Sequence, residues 1–265
     1  MSRRIITGIL AATLATVGLA ACSSGDSKDE LVVGASPVPH AEILNYVAKE
    51  LAPKEGLKLT VKEFTDYVQP NVALDSGDID ANFFQHKPYL DDFAAKKGVK
   101  LTPVTAVHIE PLGAYSKKVK ALKDLPEGAE VAIPADNTNG GRALKLLAAN
   151  GLIEVKPDAS TEKDITSNPK KLKFKALEAA QLPRALDDVS LAVINGNYAI
   201  EANLKPAKDA LALESGKDNP YANLLVAKTG KENDPKIQKL KKLLNSPEVK
   251  KFIEDKYAGS VIAAF

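Results

Sequence analysis

The chain has 265 residues, with 36 Lys and Arg against 34 Asp and Glu, one Cys and no Trp. A composition of 45% hydrophobic and 26% charged residues is typical of a soluble globular protein and excludes a disordered chain or a polytopic membrane protein. The single cysteine excludes an intramolecular disulfide and any multi-cysteine metal site, and a net charge of +2 provides no basic surface for nucleic acid.

Residues 1–21 are predicted to be a signal peptide. Arg3 and Arg4 precede an uncharged, mostly apolar run that ends at Ala21. The run is short for a membrane-spanning helix, and a polar stretch follows it. Small residues directly before Cys22 form the acceptor pattern of bacterial lipoproteins. A secreted protein with an unrelated cysteine and an uncleaved anchor are the alternatives, but the only Cys lies where lipidation requires it.

The mature chain is predicted to be tethered by lipid. Removing the signal peptide takes away two arginines and no acid, which leaves 34 basic and 34 acidic residues. Attachment to a membrane is therefore expected to depend on acyl chains carried by Cys22 and not on charge. Residues 22–30 are predicted to be a tether that reaches roughly 25–30 Å when extended. The predicted location is extracytoplasmic, at the cell membrane, facing the periplasm or the cell surface.

Strand-like and helical patterns alternate along residues 31–116. This order predicts α/β layers with a largely parallel sheet. Apolar residues at helical spacing follow the first strand and end near Gly56, and the pair Pro70 and Gly77 predicts the start and end of another helix. A polar helix is predicted over residues 88–97. The predicted strands are 31–35, 57–64, 79–84, 104–109 and 112–116.

A second series of elements begins near residue 119. Residues 134–141 are predicted to be a polar loop, followed by a helix over 142–150 and a short helix over 182–187. Asp234-Pro235 and Ser246-Pro247 predict two helix starts. The predicted strands are 130–133, 172–177, 191–195, 210–214 and 224–228.

The number of strands favours two lobes over one sheet. The first lobe is predicted to comprise residues 31–116, the second 117–215, and residues 216–265 are predicted to return to the first. Two α/β lobes joined in this way form a hinged cleft, which is a natural site for a small ligand.

The segment 137–142 is the first candidate site. It combines Asn, Thr and Gly with Arg142 ahead of a predicted helix. Backbone N–H groups at the helix start and a bidentate guanidinium suit a carboxylate. A surface turn with a solvated arginine explains the same residues equally well.

The second candidate site is an aromatic group after the strand 79–84. Phe84, His86 and Tyr89 lie at the strand end and in the following segment, where α/β proteins bind ligands. Rings there suit an apolar or sulfur-containing side chain. The alternative is that these residues are core, and for Phe83 strand alternation favours the core.

Metal and catalytic motifs are not evident. His40, His86 and His108 share no ligand spacing and lie in three separate elements, so no metal site is predicted. No nucleophile–base pair stands out, and neither a nucleophile elbow, a P-loop nor a zinc-protease motif is found. Asn195 and Asn223, at or near predicted strand ends, are weak candidates that could equally be turn residues.

Several strings together resemble the NlpA-type methionine-binding lipoproteins, the substrate-binding components of methionine ABC importers. The most specific is Phe-Gln-His-Lys-Pro-Tyr-Leu at 84–90, and the pattern Pro-x-Asp-x-x-Asn of the family is retained at 134–139 before Gly-Gly-Arg142. With the lipidation signal, the matches span nearly the whole chain. The other matching segments are 65–71, 77–82, 114–118, 181–188 and 192–195.

The resemblance implies a periplasmic-binding-protein fold, with two lobes joined by two crossovers, that closes on a free amino acid. It implies no enzymatic activity and no cofactor. The implied partners are methionine (L or D), a membrane permease with its cytoplasmic ATPase, and the membrane through lipid on Cys22. The implied ligand-binding residues are Tyr67, Phe84, His86 and Tyr89 around the side chain, and Arg142, Asn195 and Asn223 around the ammonium and carboxylate groups.

Three other functions compete with this one. The same fold could bind another apolar amino acid or a methionine-containing dipeptide, in which case the pocket would be too open or too polar for a thioether. An extracytoplasmic enzyme would turn over its ligand. A structural or adhesive lipoprotein would bind none.

Overall fold

The computed structural model describes residues 30–265. The predicted signal peptide and Cys22 lie outside the described residues, as does the tether except for Glu30, which begins the first strand and is not part of a tether. The strands are β1 Glu30–Ala35, β2 Lys58–Glu63, β3 Ala81–His86, β4 Leu101–Ile109, β5 Gly113–Tyr115, β6 Glu130–Pro134, β7 Glu154–Val155, β8 Ile165–Ser167, β9 Lys173–Leu177, β10 Leu191–Ile194, β11 Ala212–Leu213, β12 Ala222–Lys228 and β13 Ile262–Ala263.

Helices cover both faces of the sheets. The first helical segment consists of wide turns at Pro37–Ala41 and Val47–Leu51 on either side of α1, and it ends in a tight 3₁₀ turn at Ala52–Glu55. Further single 3₁₀ turns are Leu122–Asp124, Glu162–Asp164 and Ala179–Gln181. The α-helices are α1 Glu42–Tyr46, α2 Gln69–Ser76, α3 Lys87–Lys97, α4 Asn137–Ala149, α5 Leu182–Ala185, α6 Gly196–Glu201, α7 Pro206–Asp209, α8 Pro235–Leu244 and α9 Pro247–Tyr257.

Two sheets form the two lobes. The first has six strands in the order β13-β4-β12-β3-β1-β2, and the second has five in the order β11-β5-β10-β6-β9. The chain crosses between them after β4 and again after β11, which confirms the two-lobed fold with two crossovers. Because β5 pairs in the second sheet, the first crossover lies between Ile109 and Gly113, ahead of the predicted lobe boundary at residue 116.

The prediction of a largely parallel sheet is wrong, because both sheets are mixed. In the first sheet β1 pairs in parallel with β2 and β3, but β12 lies antiparallel between β3 and β4. In the second, β6 pairs in parallel with β9 and β10, while β5 is antiparallel to β10 and β11. In each sheet a strand that enters from the other lobe creates the mixture: β12 enters the first sheet after the second crossover, and β5 enters the second sheet after the first crossover.

Local signals explain most helix ends. Asp234 and Ser246 accept backbone N–H bonds at the starts of α8 and α9, and a proline follows each of them. Gly77 ends α2 in the left-handed conformation, which costs glycine little. These three predicted ends are confirmed.

Each lobe has its own hydrophobic core on both faces of its sheet. In the first lobe Leu31 and Val33 pack with the first helical segment and with α8 and α9. In the second, Leu144 and Leu147 of α4 pack on one face of the sheet. Full burial of such a leucine stabilises the fold by roughly 1.5–3 kcal/mol. The lobes are therefore built as rigid units that hold the cleft between them.

Candidate functional site

A cavity lies between the lobes, at the edge where β3, β4 and β10 end and β12 begins. All seven residues implied by the resemblance line it: Tyr67, Phe84, His86, Tyr89, Arg142, Asn195 and Asn223. Five further residues line it, which are Gln85, Glu110, Asn139, Gly196 and Asn197. Asn139 lies in the candidate segment 137–142 and Gln85 in the string 84–90, although neither side chain was assigned a role. The other three were missed.

Three aromatic rings form one wall of the cavity. The ring centroid of Tyr67 lies 6.0 Å from that of Phe84 and 5.8 Å from that of Tyr89. The Tyr89 hydroxyl donates to the Tyr67 carbonyl oxygen at 2.9 Å, which fixes the two rings relative to each other. Phe83 points to the opposite face of β3, where it is fully buried in the core, as predicted. The wall offers a polarizable surface that suits an apolar or thioether side chain.

His86 connects the aromatic wall to the second lobe. Its Nδ1 accepts the Tyr89 N–H at 3.2 Å and so caps α3, while its Nε2 lies 3.0 Å from Asn139 Oδ1. These partners assign the proton to Nε2, which donates to the Asn139 oxygen. Burial, aided by the charge of Arg142, lowers the pKa of His86 to about 4. The imidazole is therefore neutral at neutral pH.

The predicted loop at 134–141 is corrected, because α4 already begins at Asn137. Asp136 caps the helix and accepts the Asn139 N–H at 2.8 Å, and its second oxygen accepts from Asn139 Nδ2 at 3.0 Å. The cap explains why a segment with two glycines is helical. It also occupies the helix N-terminus, so an anion is not expected to bind the backbone there as the sequence suggested.

Arg142 is buried at the cavity and is already paired. Its Nε donates to Glu214 Oε1 at 2.9 Å, and its Nη2 donates to Glu214 and, at 2.9 Å, to the Glu110 carbonyl oxygen. The guanidinium also lies 4.2 Å from the Tyr221 ring centroid. Burial raises the pKa of Glu214, but the hydrogen bonds and charge of Arg142 outweigh it, and the net pKa is lowered. Nη1 is the part of the predicted bidentate fork that remains for a ligand.

Gly141 holds the start of α4 against the segment after β7. A Cβ placed on Gly141 would lie 2.2 Å from the Ala159 carbonyl oxygen, a backbone atom that cannot rotate away. We expect Gly141→Ala to lower the free energy of unfolding by roughly 1–3 kcal/mol and to weaken ligand binding by displacing Arg142. Thermal melts and titrations check this, with the exposed Lys145→Ala on the same helix as the control. Unchanged stability would contradict the close packing.

Two cavity-lining asparagines keep a buried polar atom without a partner in residues 30–265. Asn195 Nδ2 donates to Asn139 Oδ1 at 3.0 Å, which leaves Asn195 Oδ1 as an unused acceptor. Asn197 Oδ1 accepts the Tyr67 hydroxyl at 2.5 Å, which leaves Asn197 Nδ2 as an unused donor. Buried polar groups normally have partners. The cavity therefore presents an acceptor and a donor to a ligand that carries both.

A buried cluster of His40, His108 and Glu110 lies behind the cavity. Glu110 Oε1 is 2.7 Å from His108 Nε2 and 3.2 Å from His40 Nε2. The argument that separate elements keep the histidines apart is wrong for this pair, whose ring centroids are 4.8 Å apart. Burial lowers the pKa of His40 to about 4 and that of His108 to about 3.

The same three residues are the closest approach to a metal-ligand set in the described part of the chain, with their ligand atoms within 4.8 Å of one another. A metal would require both Nε2 atoms to give up their protons, which His108 now donates to Glu110 and His40 to Asn223. The His108 Nδ1 proton would then be buried without an acceptor, although metal-bound imidazoles normally donate to one. The arrangement fits a hydrogen-bonded cluster better than a metal centre.

Hydrogen bonds join the two lobes across the cleft. Besides the His86–Asn139 and Tyr67–Asn197 pairs, the Tyr198 hydroxyl donates to the Thr65 carbonyl oxygen at 3.0 Å. These bonds hold the cleft closed over the cavity. Residues 30–265 contain no helix long and apolar enough to cross a membrane.

The family model described as NlpA lipoprotein matches residues 31–265. The chain belongs to the NlpA lipoprotein family. This confirms the family that the strings at 84–90 and elsewhere predicted. The match begins one residue after Glu30, so it covers both lobes of this NlpA lipoprotein and the whole cavity.

Named relatives agree with the family. The probable D-methionine-binding lipoprotein MetQ of Vibrio cholerae is 41% identical over 257 residues, covering 96% of this chain and 95% of the relative. The methionine-binding lipoprotein MetQ of Bacillus subtilis is 41% identical over 271 residues, covering 98% of each. A nutrient binding protein from Burkholderia cenocepacia, solved bound to methionine, is 50% identical with a TM-score of 0.86, covering 89% of this chain and all of that one.

One solved relative carries a transport description. It is an ABC transporter periplasmic substrate-binding protein from Coxiella burnetii, 41% identical with a TM-score of 0.85, covering 88% of this chain and 100% of that one. The two-lobed architecture of this NlpA lipoprotein is thus shared with solved binding proteins over nearly its full described length.

Proposed function

We propose that this NlpA lipoprotein binds methionine outside the cytoplasm and delivers it to the permease of an ABC importer, without catalysing a reaction. The observation that carries the proposal is the joint lining of one cavity between the lobes by a three-ring wall, a buried arginine and asparagines with unused polar atoms. The names of the relatives support methionine as the ligand and an ABC importer as the partner.

The side chain of the ligand is proposed to lie against Tyr67, Phe84 and Tyr89, with His86 beside them. Thioether sulfur interacts favourably with aromatic rings, and rings held by hydrogen bonds lose little entropy on binding. Neutral His86 adds no charge that would have to be desolvated around an apolar group.

The polar end of the ligand is proposed to lie between Arg142, Asn195 and Asn223. Arg142 is the only Lys or Arg among the residues that line the cavity in the described chain, so it is the natural partner of the carboxylate. Asn195 Oδ1 is an unused acceptor for an ammonium N–H. Asn223 accepts from His40 Nε2 at 3.1 Å, which orients its amide at the second crossover.

Transport then depends on closure of the lobes. A ligand that touches both lobes favours the closed state, and it shifts the equilibrium only by its preference for that state. The closed form is proposed to dock on the permease, while lipid on Cys22 keeps the protein at the membrane surface and the ATPase supplies energy from the cytoplasmic side.

Calorimetric titration of the full chain in detergent tests the ligand. We expect L- or D-methionine to bind at least about tenfold more tightly than leucine, because a shaped apolar pocket discriminates by 10- to 200-fold for one group. Methionine sulfoxide is the matched control, since it has the same length with a polar sulfur, and it is expected to bind weakly. Preference for a polar amino acid or a dipeptide would contradict methionine as the ligand.

A further inference from the structure

Glu110 is a buried carboxylate at the boundary of the two lobes. It lies on the first crossover, between β4 and β5, and its side chain lines the cavity with only 6% of its surface exposed. The first lobe contacts Oε1 through His40 and His108, and the backbone N–H of Asn197 in the second lobe also donates to the carboxylate. Both lobes therefore fix the position of this group.

No Lys or Arg nitrogen lies within 4.0 Å of the Glu110 carboxylate in residues 30–265. The two side chains nearest to it are imidazoles whose pKa values are lowered by burial, so both are neutral. His108 Nε2 donates to Oε1 at 2.7 Å, while His40 Nε2 lies 3.2 Å from Oε1 and donates to Asn223. Arg142 contacts the backbone carbonyl of Glu110, and the charge of Arg142 is already matched by Glu214. A buried carboxylate without a cation is costly. Burial raises the pKa of Glu110, although His40, the Asn197 N–H and the charge of Arg142 partly oppose this.

The positive and negative charges at the cavity therefore do not balance before a ligand binds. Arg142 and Glu214 form a pair with no net charge, whereas an ionised Glu110 leaves one negative charge at the cavity wall. The acceptor Asn195 Oδ1, which is buried without a partner among residues 30–265, lines the same cavity. A carboxylate and an amide oxygen together suit a group that donates several hydrogen bonds and carries one positive charge.

We propose that Glu110, positioned by His40 and His108, is the counter-ion of the ligand's α-ammonium group and makes the site selective for ligands with a free amino group. The inference rests on the proposed function and deepens it, because it assigns the ammonium to the crossover between the lobes. Binding there brings a cation against a group that both lobes hold, so ammonium recognition and closure involve the same residue. Amino acids blocked at the nitrogen, and acids that lack it, are excluded.

The test compares methionine with its deaminated analogue, 4-(methylsulfanyl)butanoate, by calorimetric titration of the full chain and of Glu110→Gln. The wild type is expected to prefer methionine by at least about thirtyfold, because removing one partner of a buried charge pair costs about 2–5 kcal/mol and about 1.4 kcal/mol corresponds to a factor of ten. In Glu110→Gln the preference is expected to fall below about tenfold, while binding of the analogue stays the same or improves. Glu178→Gln, an exposed acid, is the matched control and should keep the full preference.

The outcomes separate this inference from the proposed function. Equal losses for both ligands in Glu110→Gln, or an unchanged preference, would overturn the ammonium assignment and leave methionine binding intact. Failure of the wild type to bind either ligand would overturn the proposed function and the assignment with it. If Glu110→Gln does not fold, the comparison of the two ligands in the wild type is the test. Equal affinity for methionine and its deaminated analogue would then contradict a counter-ion for the ammonium group. Glu110→Asp keeps the negative charge but places it one methylene farther from the ligand. Its preference for methionine is expected to lie between those of the wild type and of Glu110→Gln.

Discussion

Replacing Arg142 by alanine is expected to weaken methionine binding by roughly a hundredfold to a thousandfold. The reason is that Arg142 is the only Lys or Arg lining the cavity within residues 30–265, and Nη1 is the end of its guanidinium not used by Glu214 or Glu110. Its removal also leaves the partly buried Glu214 without a cation, so a carboxylate ligand would meet a negative charge instead of a positive one. Calorimetric titration with methionine measures the loss.

Two variants separate binding from folding in this experiment. Arg184→Ala removes the only other arginine after residue 4, which is exposed, and is expected to bind methionine normally. The double variant Arg142→Ala with Glu214→Gln removes the unpaired charge and is expected to recover stability but not affinity. Affinity close to that of the wild type in Arg142→Ala would remove Arg142 from the binding site.

Lowering the pH from 7 to 5 is expected to reduce the free energy of unfolding by roughly 4 kcal/mol. All three histidines of the chain are buried, and burial lowers their pKa values to about 4 for His40 and His86 and to about 3 for His108. Unfolded histidine titrates near 6.5. Between about pH 6.5 and 4 the unfolded chain therefore binds more protons than the folded chain. The stability is complete above pH 6.5 and is lost as the pH falls.

The size of this effect follows from the number of groups. Each histidine contributes up to about 1.4 kcal/mol per pH unit below 6.5. Glu110 acts in the opposite direction, because burial raises its pKa and the folded state then binds its proton more readily. The net loss corresponds to a melting temperature lower by about 10 °C at pH 5 than at pH 7. Thermal melts across this range measure it.

His108→Gln is the control for the pH dependence. It removes one of the three buried titrating histidines, so the loss of stability between pH 7 and 5 should fall by about 2 kcal/mol, roughly half of the net effect, whatever the variant does to stability at pH 7. A melting temperature that does not change between pH 7 and 5 in the wild type would contradict buried, neutral histidines.

The elements with local signals were predictable from the sequence. Proline after Asp234 and Ser246, and glycine at position 77, mark helix ends through backbone geometry that does not depend on distant residues. The apolar runs of β1 and β10 were also found. Both strands are largely buried, and a run of apolar residues is sufficient to indicate this.

The direction of strands and the start of α4 were not predictable in the same way. A buried strand has the same apolar pattern whether its neighbour is parallel or antiparallel, so β12 gave no sign of its orientation. Glycine disfavours helix, and Gly140 and Gly141 therefore indicated a loop. The helix forms there because Asp136 caps it and because close packing on Ala159 requires glycine.

Some residues of the candidate site could likewise be predicted from the sequence, and others could not. Tyr67, Phe84 and Arg142 were found because the resemblance to the family assigns them, and the structure places them at one cavity. Glu110 carries no local motif. Its significance comes from contact with His40, which is 70 residues earlier, and with Asn197, and only the folded chain brings these residues together.

Mass spectrometry of small molecules released from the protein tests the central claim most directly. The full chain is purified under native conditions in detergent, denatured, and its released ligands are weighed and quantified against protein. We expect methionine in a ratio of about one per chain, since lobes held together by hydrogen bonds across the cleft release a bound amino acid slowly. A protein that releases no amino acid and also fails to bind added methionine in calorimetry would contradict the account.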